Sequence, residues 1–191
     1  MQIAWFCVDS APQPGPNTIA AAMGPVSATI SIDAPRERVH RLIGDLAFRP
    51  AFTDHFIDEF RLERLASAGV GAAARFRVRD RGTWMETVIT ESAAPHRLIE
   101  RGAGGRGNRR PVACVWELSE AASRTGCEVR VTFVIEPASP LDRAMDAAAQ
   151  LRGVEGWYRR QWSKALARLR PVAESDAEPS RLVVAGAERL A

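Results

Sequence analysis

Few side chains in this sequence of 191 residues could carry out chemistry, and none of them forms a recognisable catalytic motif. The histidines His40, His55 and His96 fall in predicted helices or turns, and no Ser or Cys nucleophile lies beside them. A Ser-His-Asp or Cys-His arrangement therefore cannot be assigned. The three cysteines lack the paired short spacings of a zinc site or a disulfide framework. We predict no metal ion and no cofactor.

The glycine-rich stretch at residues 102–110, GAGGRGNRR, is the candidate for a phosphate-binding loop. Such a loop needs the N-terminus of a helix directly after it, where backbone N–H groups point at the anion. This stretch instead follows one predicted strand and leads into another. We interpret it as a flexible hairpin connection rather than an anion site.

Some polar residues could reach an apolar interior, where they would orient a ligand or move protons. The Thr87 hydroxyl either binds a ligand or is satisfied by neighbouring backbone. Tyr158 either donates to a ligand as a weak acid or belongs to the core. Glu100 points inward only if Leu98 does, and is solvated otherwise. The candidates are Thr87, Glu100, Tyr158 and His96.

The composition is that of a soluble globular protein, with 46% hydrophobic and 26% charged residues. The formal net charge of +3 comes almost entirely from arginines, which are spread along the chain instead of forming one basic block. We therefore predict no nucleic-acid partner. No apolar run approaches the length of a membrane helix, and the first residues lack the basic region of a secretory signal. We expect a cytoplasmic protein without integral membrane contact.

The elements that position these side chains begin with an alternating strand at residues 26–33, VSATISID. Asp33 lies close to where a helix N-cap is needed, and Pro35 suits a first helical turn. Helical spacing of apolar residues follows as far as Leu46. The segment LAFRPAFTDHF then predicts a second short helix or a bent connection.

From residue 57 the apolar period changes to two for some eighty residues, which predicts an antiparallel meander. Two hairpin registers place apolar residues opposite apolar ones and opposite charges together. With a two-residue loop at DRG, residues 80–82, the pairs are Val78–Met85, Phe76–Thr87, Ala74–Ile89 and, on the other face, Arg77–Glu86. In the later hairpin they are Leu118–Val129, Trp116–Val131, Cys114–Phe133, Val112–Ile135 and, on the solvated face, Glu117–Arg130.

Residues 141–170 return to helical spacing, with an apolar stripe that must pack on the apolar face of the sheet. Gly153 and Gly156 each cost about 1 kcal/mol relative to Ala in a helix interior, so we expect a kink or two helices there. The predicted organisation is an irregular leader over residues 1–25, one domain over 26–170 and a tail over 171–191.

This order of elements resembles the START-like helix-grip superfamily, also called SRPBCC, and in particular its polyketide cyclase/dehydrase-like branch. The segments on which this resemblance rests are ISIDAPRERVHRLIGDL, GVGAAARFRVRD, WMETVITESAAPHRLIERG, CVWELSE, GCEVRVTFVIEP and WSKALARLR. The resemblance implies an α+β fold in which a curved antiparallel sheet wraps a long C-terminal helix, with two short helices after the first strand. It also implies an apolar cavity between sheet and helix.

Two functions fit such a cavity. We expect binding of a hydrophobic small molecule, such as a lipid, polyketide or quinone; the alternative is an enzyme of the polyketide cyclase or aromatase type. A buried Glu, Arg or His bonded to a second polar group would favour the enzyme. A purely apolar lining would favour a protein that binds its ligand without catalysis. No catalytic residue is assigned. The predicted ligand-binding residues are Phe76, Val78, Met85, Thr87, Ile89, Cys114, Trp116, Phe133, Met145, Leu151 and Tyr158.

Removing residues 1–22 is expected to leave a folded domain, because this proline-rich segment has no periodic apolar face to bury. Thermal unfolding of the shortened chain measures the effect. A fall of more than a few degrees in Tm would mean that the segment IAWFCV adds a strand or covers a sheet edge.

Overall fold

The computed structural model describes residues 23–121, 126–151, 153–175 and 177. Residues 1–22 and most of the predicted C-terminal tail lie outside this part of the chain. The described strands are β1 (Met23–Ile32), β2 (Ile57–Leu62), β3 (Ala73–Val78), β4 (Thr83–Ala93), β5 (Arg97–Gly104), β6 (Arg110–Glu120) and β7 (Cys127–Ile135). The α-helices are α1 (Arg36–Gly44), α2 (Pro50–Thr53), α3 (Pro140–Leu151) and α4 (Val154–Glu174).

All described strands form one antiparallel sheet in the order β1-β7-β6-β5-β4-β3-β2. The first strand therefore pairs with the last. The short helices α1 and α2 lie in sequence between β1 and β2, which are the two edge strands of the sheet. Helix α4 packs on the concave face through an apolar stripe that includes Tyr158, Trp162, Leu166 and Leu169, all buried. This is the α+β helix-grip architecture that the sequence predicts.

The predicted β6–β7 register is confirmed at every pair. Val112, Cys114, Trp116 and Leu118 lie opposite Ile135, Phe133, Val131 and Val129, respectively, and Glu117 lies opposite Arg130. The apolar members are buried, whereas Glu117 and Arg130 are exposed. Alternation over nine or more residues determines which face is inward.

The predicted β3–β4 register is wrong by two residues. Val78 lies opposite Thr83 instead of Met85, Phe76 opposite Met85, and Ala74 opposite Thr87. The connection is longer than the predicted two-residue turn, because residues 79–81 form a 3-10 turn that ends at Gly82 with φ of 58°. A shift of two residues preserves the faces, so the apolar side chains still point inward.

The predicted strand-to-helix corner forms, but its cap differs. Helix α1 begins after Pro35, and no side chain caps its first turn, so Asp33 does not act as the N-cap. The Asp33 N–H instead donates to Glu174 Oε1 at 2.8 Å. Arg38 Nε donates to the Ala173 carbonyl at 2.7 Å. The corner is therefore bound to the end of α4.

The C-terminal helical region is two helices separated at Gly153, whose φ of 69° is in the left-handed region that favours glycine. This confirms the predicted interruption. Three residues of the predicted buried stripe, Leu141, Met145 and Ala148, are instead exposed, the first two by 68% and 61%, because α3 lies at the end of the sheet. Helix α4 also continues through Pro171 to Glu174, past the predicted boundary at residue 170.

Candidate functional site

The centre of the space between sheet and α4 is filled by aromatic side chains. Trp162 of α4 meets Trp116 and Phe133 of the sheet at centroid distances of 5.7 Å each. Phe52 of α2 meets the Trp116 ring edge-on at 6.4 Å. All four residues are buried. In the centre of the space between the sheet and α4, the apolar side chains of β6 and β7 therefore belong to the packed core.

A buried ion pair lies beside this aromatic cluster. Arg49 Nη2 is 2.6 Å from Glu100 Oε1, and the two side chains are 5% and 2% exposed. The same carboxylate accepts hydrogen bonds from Trp116 Nε1 at 2.9 Å and from the Thr87 hydroxyl at 3.3 Å. The Arg49 guanidinium also lies 5.2 Å from the centroid of the Trp116 ring. We refer to Arg49, Glu100, Thr87 and Trp116 as the Glu100 cluster.

The strand geometry explains why Glu100 points inward. Leu98 and Glu100 lie opposite Trp116 and Cys114, respectively, which both face the core. A bulge between Ile89 and Glu91 of β4 lets the pairing with β5 change at this point. Glu100 thus takes the inward position that the sequence left open. Its partner Arg49 was not among the predicted residues.

The one sequence signal for Arg49 is its place as the single charge in the apolar segment LAFRPAF. A buried charge is stable only when it is paired and hydrogen-bonded. Which carboxylate pairs with it depends on how the short helices cross β5. Sequence spacing between residues 49 and 100 does not contain that information.

The neighbouring thiol of Cys114 is not a nucleophile in this environment. Burial, and then the charge of Glu100, raises its pKa well above the usual value, and Arg49 lowers it by less. A thiol that stays protonated is unreactive, since the thiolate is the nucleophilic form. Cys114 is therefore part of the core.

A cavity of ≈ 470 Å³ lies at one end of the sheet, below α3. Its volume is in the range of small-molecule sites. Strand ends of the sheet form one side, and α3 with the start of α4 forms the other. The lining residues are Arg81, Thr83, Gly105, Arg109, Arg110, Ile135, Leu141, Asp142, Met145, Asp146, Ala149, Val154 and Tyr158.

The acidic side chains of this cavity are already bound within the protein. Arg110 Nη2 donates to Asp146 Oδ2 at 2.5 Å, which links β6 to α3. Asp142 accepts hydrogen bonds from the Ser139 hydroxyl at 2.8 Å and the Ala138 N–H at 3.1 Å. The Ser139 bond is the main reason that the pKa of Asp142 is lowered. Both carboxylates are therefore bound within the protein.

The sequence over residues 23–174 matches the family model described as polyketide cyclase / dehydrase and lipid transport. The chain belongs to this family. Family and fold together indicate hydrophobic ligand binding or a polyketide cyclase-like role. No curated protein matches the chain in sequence.

Solved structures similar to this polyketide cyclase / dehydrase and lipid transport family member share its fold at low identity. A START superfamily protein from Mycobacterium smegmatis is 14% identical, with a TM-score of 0.52, over 78% of this chain and 98% of that chain. The jhp0584 protein from Helicobacter pylori is 12% identical, with a TM-score of 0.62, over 89% and 99%. A Chromobacterium violaceum protein is 16% identical, with a TM-score of 0.52, over 80% and 99%.

In this family member, the predicted ligand-binding residues separate into three groups. Met145 and Tyr158 line the cavity below α3. Thr87 and Trp116 belong to the Glu100 cluster, and the side chain of Leu151 lies outside the described residues. The others are buried in the hydrophobic core and do not line that cavity: Phe76, Val78, Met85, Ile89, Cys114 and Phe133. Arg81, Arg110 and Asp146 line the cavity but were not predicted.

Tyr158 is the polar group at the inner wall of the cavity. It is 4% exposed, and its ring lies 5.3 Å from that of Phe133. Burial raises the pKa of Tyr158 to about 12, although Arg81 and Arg110 act in the opposite direction. The phenol is therefore protonated at neutral pH, where it is a hydrogen-bond donor and not a base.

We expect the absorbance of Tyr158 to titrate near pH 12 in the folded protein, because burial disfavours the phenolate. The chain has one tyrosine, so the phenolate absorbance reports on this residue alone. An unfolded chain should titrate near pH 10. Since the folded pKa is raised, this group's contribution to stability is complete below pH ~10 and is lost as pH rises towards about 12. A midpoint near 10 in the folded protein would show that the hydroxyl is solvated.

The histidines lie away from the cavity. His40 and His55 donate through Nε2 to the carbonyls of Arg97 and Gln161 at 3.4 and 3.2 Å, and burial lowers the pKa of His55. His96 Nδ1 is 3.3 Å from Arg36 Nη1. Among the described residues, no group of three His, Cys, Asp or Glu side chains is placed to hold a metal ion.

The glycine-rich stretch connects β5 to β6 as a hairpin, as predicted, through a 3-10 turn at Arg106–Asn108, and Gly105 and Gly107 have positive φ. In the described part of the chain, no helix is both long enough and apolar enough to cross a membrane.

Proposed function

We propose that this protein binds an apolar small molecule, non-catalytically, in the cavity below α3. The observation that carries this proposal is a cavity of ≈ 470 Å³ whose walls include Ile135, Met145, Val154 and the ring of Tyr158. Apolar walls with a few oriented polar groups are typical of small-molecule sites. Removing such a ligand from water provides the free energy of binding.

The polar groups of the cavity support binding over proton transfer. Asp142 and Asp146 are held by hydrogen bonds and by Arg110. Tyr158, with its pKa raised to about 12, gives up its proton only in strong alkali. General acid–base catalysis needs a group whose pKa is near the working pH. Neither Tyr158, with its raised pKa, nor Asp142, with its lowered pKa, provides one at neutral pH.

The test is native mass spectrometry of protein purified from its own host, followed by titration with fatty-acid, quinone and polyketide-like probes. Ala149 lines the cavity on α3 and its neighbour Ala148 is exposed, so Ala149→Phe and Ala148→Phe form a matched pair. We expect Ala149→Phe to abolish probe binding and Ala148→Phe to retain it. Failure of every probe to bind the unaltered protein below about 1 mM, an affinity of only about 4 kcal/mol, would overturn the proposal.

A polyketide cyclase is the second candidate, and the Glu100 cluster is the observation that favours it. A buried carboxylate bonded to a second polar group is what such an enzyme would use to move protons. Glu100, however, already accepts from Arg49, Trp116 and Thr87, and it does not line the cavity below α3. Incubation with a linear poly-β-ketone thioester distinguishes the two functions. Faster cyclisation that Glu100→Gln abolishes, with folding retained, would establish the enzyme.

A further inference from the structure

We propose that the ligand of the cavity below α3 is a hydrophobic carboxylate whose anionic group is bound between Arg81 at the cavity mouth and Tyr158 at its inner wall. This inference rests on the proposed function and specifies its ligand class. An uncharged apolar ligand would occupy the same walls but offer no acceptor to the Tyr158 hydroxyl and no counter-charge to Arg81. The placement of charge around the cavity supports the anionic group.

The arginines lining the cavity are not equivalent. Arg110 is paired with Asp146, so this pair brings no net charge to the ligand. Asp142 adds a second negative charge, at the start of α3. Three arginines against two carboxylates still leave the lining net positive. Among the described residues, no carboxylate lies within ion-pair distance of Arg81.

Arg81 is fixed in place by an aromatic ring instead of a carboxylate. It ends the 3-10 turn between β3 and β4, and its guanidinium carbon lies 4.8 Å from the centroid of the Trp157 ring. Trp157 precedes Tyr158 on α4. Stacking on a ring face leaves the N–H groups at the guanidinium edge available to an acceptor. Arg81 is therefore held at the mouth of the cavity with N–H groups that can donate to a ligand.

Tyr158 supplies a second donor, deeper in the same cavity. In the part of the chain that the structure describes, no side chain or backbone group accepts a hydrogen bond from its hydroxyl. A guanidinium can only donate hydrogen bonds, and a phenol hydroxyl can donate one as well. A carboxylate accepts from both and also neutralises the unpaired positive charge. Its apolar body then lies against Ile135, Met145 and Val154.

Decanoate and decanol test this inference, because they share one alkyl chain and differ in charge. The unaltered protein is expected to bind decanoate about tenfold more tightly than decanol at neutral pH, by isothermal titration calorimetry. Arg81→Gln should remove this preference, because it should weaken decanoate binding about tenfold more than decanol binding. The matched control is Arg75→Gln, since Arg75 stacks on Trp84 at 4.9 Å but does not line this cavity. This variant should keep the preference.

Each outcome has a separate meaning. Equal binding of decanoate and decanol to the unaltered protein overturns the carboxylate inference and leaves the proposed function standing. A preference that survives in Arg81→Gln, with an unchanged Tm, overturns the assignment to Arg81. Binding of neither probe, nor of any apolar probe, overturns the proposed function itself.

Discussion

Replacing Arg49 by Met is expected to lower the free energy of unfolding by about 3–5 kcal/mol, because it leaves the Glu100 carboxylate buried without its counter-charge. Glu100 is 2% exposed, so water cannot take the place of the guanidinium. Trp116 and Thr87 still donate to the carboxylate, but these neutral donors compensate only part of a buried charge. Urea unfolding, monitored by tryptophan fluorescence, measures the loss.

A double-mutant cycle separates the ion pair from the packing of the long side chain. Arg49→Met with Glu100→Gln should recover much of the stability, since no buried charge is then left and Gln still accepts from Trp116. The matched control is Arg159→Met on α4. Arg159 is also 2.6 Å from its carboxylate, Glu155, but its side chain is 55% exposed. We expect a change of at most about 1 kcal/mol there. An equal loss in both variants would contradict the role of burial.

Replacing Phe133 by Ala is expected to cost about 3–5 kcal/mol of unfolding free energy. Phe133 is 3% exposed and its ring contacts those of Tyr158 and Trp162. Truncation removes both contacts and leaves a void between β7 and α4 that the rigid indole cannot fill. Denaturant unfolding at constant m-value reports the loss.

Phe60→Ala is the matched control for this substitution. Phe60 stacks on Phe76 at 6.0 Å but lies half-buried on the edge strand β2. Its truncation should cost less than about 2 kcal/mol, because the remaining side chains stay partly hydrated either way. If Phe133→Ala costs no more than Phe60→Ala, then Phe133 borders an open cavity and the packed core inferred at this level is wrong.

The two predicted hairpins differ in how well apolar alternation specifies the register of their strands. In β6 and β7, long apolar alternation and the opposite charges of Glu117 and Arg130 specify one register, and the structure has it. In β3 and β4, the same reasoning assumed a two-residue turn at residues 80–82. The turn is longer, and the register moves by two residues. Alternation detects an error of one residue but not of two, because only odd shifts exchange the faces.

The sequence by itself determined the strands, the helices and their order, because period two and period 3.6 are local properties, and the resemblance of that order to the START-like family implied the helix-grip architecture. It also determined which faces are apolar, down to Trp116 and Val131. Only the tertiary structure decided that Arg49 meets Glu100, since residues distant in sequence pair according to how elements cross. The structure also decided where the space is: aromatic rings close the centre, and α3 leaves Met145 above a cavity at the sheet's end. A cavity is the difference between enclosed volume and side-chain volume, and that difference depends on three-dimensional packing and not on sequence pattern.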